Sequence, residues 1–90
     1  MELQEYRKQI NEIDAQLTKL FAKRMHVAAE IAAYKNERGL PVLDAQREAE
    51  KLQEIAERLP VELREYGVEL YKRIMELSRD YQEQLIRSAR

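Results

Sequence analysis

Cysteine is absent from the 90 residues. That excludes disulfide frameworks, thiolate nucleophiles and cysteine-ligated metals, and it suits a reducing cytosol. Glycine and proline number two each, and no window alternates as a strand does, so the composition is that of long helices rather than sheets or disordered tails. No apolar run approaches the roughly 18 residues of a membrane span. The charged start, with Glu2, Glu5, Arg7 and Lys8, has no signal-peptide core behind it, so a cytoplasmic protein without membrane contact is expected. An excess of one charge is also lacking. Sixteen Lys and Arg stand against seventeen Asp and Glu, interspersed, with none of the basic faces that nucleic acid requires.

What is present is charge and apolar surface at helical spacing, 37% and 44% of the residues. A chain of this length forms one domain, 1–90, with a modest core, and help from a partner chain is expected. Leu3, Tyr6, Ile10, Ile13, Leu17, Leu20, Arg24, Val27, Ile31 and Tyr34 step by alternating threes and fours, the seam of a helix that packs on other helices. Arg24 interrupts that seam. Lys35 follows eleven residues later, within roughly 20° of the same face and about 16 Å further along the axis. Burying two cations without partners would cost several kcal/mol each. The face is therefore expected to meet anions, either carboxylates of the protein or those of a ligand.

The first helix is expected over Leu3–Arg38, about 54 Å long, ending at Gly39 before Pro41. Gly39-Leu40-Pro41-Val42-Leu43 reads as a turn, and Asp44 as the cap of a second helix over Ala45–Leu59. Pro60 can start a third helix carrying Leu63, Leu70, Ile74, Leu77, Tyr81 and Leu85, with Gly67 weakening its first turns. A bend at Pro60 in place of a turn stays open. The expected fold is all-α, with long, short and long helices. The first helix overhangs what the other two can cover, which points to an intertwined six-helix homodimer.

Several polar residues fall on the inward faces. Asp44, Arg47 and Glu48 project from one side of the second helix's first turn, which a cap and a nearby surface ion pair would also explain. Ser78 and Gln82, four apart beside the apolar stripe of the third helix, fit a helix flank as well as a site. Arg7 could be solvated surface. Arg24 and Lys35 could snorkel or pair with acids from another helix. His26, about 200° round from Arg24, reads as solvent-facing. No Ser/His/Asp set and no histidine cluster for a metal is present. An enzyme with this sequence would work by charge, shape and positioning.

Taken in order, Tyr6 to Asp14, Ala22-Lys23-Arg24, Tyr34-Lys35, Gly39 to Glu48 and Ser78 to Gln82 resemble the all-helical class of chorismate mutase, over nearly the whole chain. The resemblance implies conversion of chorismate to prephenate by a Claisen rearrangement, without metal or cofactor, in phenylalanine and tyrosine biosynthesis. It implies that Arg24 grips a substrate carboxylate, assisted by Arg7 and Ser78, with Arg47 adding positive potential. Lys35 and Gln82 would donate to the ether oxygen, while Glu48, helped by Asp44, would orient the ring hydroxyl. Ala28, between Arg24 and Lys35, would leave room for the ligand. Arg7 stands about 25 Å from Arg24 along the same rigid helix, so one molecule cannot touch both from one chain. If Arg7 binds substrate, it serves the site of an antiparallel partner. Two other readings remain: an isochorismate pyruvate-lyase of similar fold, and a non-catalytic helical dimer or adaptor, which would have no reason to keep Arg24 in an apolar seam.

Overall fold

The computed structural model describes residues 2–89. Three α-helices follow one another, α1 over Leu3–Arg38, α2 over Ala45–Arg58 and α3 over Arg64–Ser88, with a single 3₁₀ turn at Val61–Leu63. The fold is all-helical, long, short and long.

Helix α1 runs 36 residues with no glycine or proline to interrupt it. Gly39 stops it by adopting φ 64° and ψ 26°, the left-handed conformation that glycine tolerates without a Cβ penalty. The Gly39 N–H bonds Asn36 O and the Leu40 N–H bonds Lys35 O at 2.9 Å, a paired closure that satisfies two orphan carbonyls. Helix α2 begins as expected, with Asp44 Oδ1 accepting from the Arg47 N–H at 3.0 Å. It ends one residue sooner than its apolar pattern suggests. Leu59 precedes Pro60 and is pushed into extended backbone, φ −105° and ψ 149°.

The expectation that Pro60 starts the third helix is corrected. Pro60 has ψ 147° and precedes the 3₁₀ turn, and α-helical geometry begins only at Arg64. Gly67 does more than weaken the first turns of α3. A Cβ there would lie 2.1 Å from Leu59 Cδ1, so glycine lets α3 start hard against the end of α2.

Helix α3 packs on both α1 and α2. The apolar core is small, made of Ala28, Ala32, Ile55 and Met75. The expected stripe of α3 is displaced by about one position. Met75, Ser78 and Gln82 are its buried residues, whereas Leu63 and Leu70 are about half exposed and Ile74, Leu77, Tyr81 and Leu85 are intermediate. Because α3 is covered from two sides, its larger apolar residues divide between its neighbours, and the line between them faces the α1–α2 crevice.

The chain is a rod of 54 × 26 × 14 Å with a radius of gyration of 16.4 Å, against about 12 Å for a compact 90-residue domain. Its accessible surface is 7485 Å², against about 5,500 Å² for a compact monomer of this mass. Most of the exposed large apolar side chains lie on α1. Leu3, Tyr6, Ile10, Ile13, Leu17 and Leu20 are all 51–60% exposed. No described helix is long and apolar enough to cross a membrane.

Candidate active site

A crevice of about 570 Å³ opens where the C-terminal half of α1, the first turns of α2 and the middle of α3 converge. Four turns of α1 provide one wall through Arg24, Ala28, Ile31 and Lys35. Ala28 is only 4% exposed; its small side chain keeps this stretch of wall low, as expected from its place between the two cations. Asp44, Arg47 and Glu48 line the crevice from α2, and Met75, Ser78, Arg79 and Gln82 from α3.

The charge is unbalanced. Six cationic side chains, Lys23, Arg24, Lys35, Arg47, Lys51 and Arg79, face two carboxylates, Asp44 and Glu48. Some of that charge is already matched. Arg79 Nη1 donates to Glu48 Oε1 across the α2–α3 contact. Lys51 Nζ donates to Glu54 Oε2 at 3.0 Å, and this bond, with Arg58 nearby, holds the Glu54 carboxyl below its ordinary range. Arg24, half-buried in the wall, has neither an ion-pair nor a hydrogen-bond partner among the described residues. Among the described residues the Lys35 ammonium donates only to a neutral acceptor, Val42 O, at 2.8 Å. This bond fixes the ammonium at the crevice wall and ties it to the turn that follows α1.

On α3 the polar pair is the most enclosed part of the site. Ser78 and Gln82 are each 7% exposed, and Gln82 Nε2 donates to Ser78 Oγ at 3.1 Å. Gln82 Oε1 is then buried without a partner, a costly condition for an amide. The opposite rotation of the amide lets the Ser78 hydroxyl donate to Oε1 and puts Nε2 where the unpartnered Oε1 now lies. A ligand with an acceptor oxygen at that point would favour this second orientation.

Seven of the eight residues expected in the site are thus together: Arg24, Lys35, Asp44, Arg47, Glu48, Ser78 and Gln82. Arg7 is not among them. It is exposed on the far half of α1. The capping explanation of Asp44 holds as well, since the same side chain caps α2 and borders the crevice. The ion pair expected near that triplet is instead the long-range bond from Glu48 to Arg79. His26 points away, 3.1 Å from Glu30 on the exposed face. Among the described residues no three His, Asp or Glu side chains are grouped as metal ligands. Sequence reasoning passed over Arg79, Lys23, Lys51 and Met75. For Arg79 the signal was available: Met75, Ser78, Arg79 and Gln82 follow an i, i+3, i+4, i+7 pattern, one face of a helix.

A curated relative, a chorismate mutase of Methanocaldococcus jannaschii, is 46% identical over 46 residues, which make up 51% of this chain and 46% of the relative. The match therefore spans about half of each protein. No solved structure matches the chain. The family model described as chorismate mutase type II matches residues 6–83, a span that takes in most of α1, all of α2, most of α3 and every crevice residue named above, and the chain belongs to that family.

Proposed function

We propose that this chain is an isomerase that converts chorismate to prephenate by a cofactor-free Claisen rearrangement, at the branch toward phenylalanine and tyrosine. The observation that carries this reading is Arg24, a half-buried guanidinium with no anionic partner among the described residues, set beside Lys35 in a crevice where cations outnumber carboxylates. Such a wall suits a dianionic substrate.

In this reading Arg24 holds one substrate carboxylate through a two-pronged contact, Ser78 assists, and Arg47 adds positive potential. Lys35 Nζ and Gln82 Nε2 donate to the ether oxygen as the C–O bond breaks and charge develops there, an interaction stronger in the transition state than in the bound substrate. Glu48, with Asp44 beside it, accepts from the ring hydroxyl. Because the step is unimolecular, holding the side chain over the ring in the reactive arrangement removes much of the entropic barrier.

Arg7 completes the site from a second copy. Its distance from Arg24 along α1, about 25 Å by helical rise, and the exposed apolar seam between them both favour an antiparallel pairing of long helices. Covering the excess surface on two copies would bury on the order of 4,000 Å², within the range of obligate homodimers. The result is an intertwined six-helix homodimer with two equivalent sites, active in the cytoplasm.

The direct test follows chorismate absorbance with purified protein and identifies the product. Prephenate supports the proposal. Unchanged chorismate, or release of pyruvate from isochorismate instead, refutes it. A bicyclic dicarboxylate with an ether bridge, shaped like the transition state, should bind more tightly than chorismate and raise Tm as its concentration rises, by about 2.7 kcal/mol of stability at 100 times Kd. A Tm indifferent to that compound would exclude the crevice as its site.

A further inference from the structure

The Arg79–Glu48 pair differs from the other ion pairs of the described residues. Those join residues no more than four apart on one helix. This one links α3 to α2 across the crevice, and its side chains are only 28% and 24% exposed.

Glu48 is an unusual group to keep in this place. In a crevice built for a dianion a carboxylate repels the like-charged ligand, which offsets what its hydrogen bond from the ring hydroxyl contributes. A glutamate in the first turn of α2 also has several rotatable bonds, and without a partner its carboxylate would turn toward the surrounding cations rather than toward a ligand hydroxyl. Arg79 answers both difficulties. Its guanidinium balances the negative charge locally. By occupying Oε1 it leaves Oε2 as the free acceptor in a defined direction. Arg79 itself is fixed by its place on α3, directly after Ser78 and three residues before Gln82, so the group that aims Glu48 shares a helix face with the two most buried polar residues of the site.

We propose that Arg79 is a positioning residue: it acts on the reaction through Glu48, holding that carboxylate aimed at the substrate hydroxyl, and does not itself touch the substrate. This rests on the mutase reading above. A wild-type protein that does not turn over chorismate overturns both together, whereas the outcomes below bear on Arg79 alone once wild-type activity is measured.

The test is a double-mutant cycle of Arg79→Gln and Glu48→Gln, with Arg79→Lys as the conservative variant, read as kcat and KM separately. Arg79→Gln should lower kcat/KM by up to about 100-fold, the scale of a misplaced catalytic contact. In the Glu48→Gln background the same change should alter kcat/KM by less than about twofold, because nothing is left to aim. Arg79→Lys should recover part of the loss, since an ammonium can balance the charge but cannot reproduce the planar fork. Should Arg79→Gln lose its helical circular dichroism, the cycle is run with Arg79→Lys in its place. A full loss that persists without Glu48 means that Arg79 meets the substrate directly and overturns the proposal. Wild-type kcat/KM in Arg79→Gln, with or without a lower Tm, reduces the pair to a strut between helices and overturns it equally.

Discussion

Replacing Arg24 with leucine is expected to abolish turnover while leaving the Tm of the ligand-free protein unchanged or raised. Two features of the side chain lead to this. It is half-buried at a seam position that heptad spacing reserves for an apolar residue, and among the described residues no carboxylate meets it. A cation held in this way contributes little to folding, and an apolar residue of similar bulk is often neutral or stabilising in its place. Its retention is then explained by what it binds. Comparing Tm and chorismate turnover for the two proteins separates the alternatives. A large fall in Tm without ligand would mean that Arg24 is paired to an acid across the proposed dimer, and the carboxylate-binding role would be lost.

Lys35→Ala and Gln82→Ala should each lower kcat by about 10²–10³, the usual cost of removing one preorganised donor from developing charge. Neither change should unfold the protein. Among the described residues Lys35 bonds a single carbonyl, at the turn after α1, and removing Gln82 also removes a buried amide oxygen that lacks a partner. Helical circular dichroism should persist in both variants. Near-normal kcat in either one would take that residue away from the ether oxygen.

Much of this site could be read before any coordinates because its α1 wall follows from helical periodicity alone. Arg24, Ala28 and Lys35 recur on one face at 100° per residue, and an uninterrupted 36-residue helix preserves that phase. Gly39 and Asp44 were equally legible, since each solves a local problem of a helix end. The parts that were not legible depend on contacts between distant segments. Arg79 looks like one more surface charge until its partner, 31 positions away, is brought alongside. The burial of Ser78 and Gln82 in the middle of α3, rather than on its flank, follows from α3 being packed from both sides. The 3₁₀ turn after Pro60 and the closeness of Gly67 to Leu59 reflect how α2 and α3 abut. No single-helix pattern encodes that.

Mixing two inactive variants gives the most direct measurement of a site shared between chains. In a dimer of one Arg7→Ala chain and one Lys35→Ala chain, one site carries both lesions and the other carries neither, provided that Arg7 crosses to the partner and Lys35 does not. Random exchange through unfolding and refolding makes about half the dimers mixed, with half their sites intact, so an equal mixture should recover about a quarter of wild-type chorismate turnover. Neither homodimer has an intact site. If mass or tag capture shows that mixed dimers have formed and the mixture gives only the sum of the two residual activities, Arg7 does not complete a neighbouring site and the shared-site arrangement is contradicted.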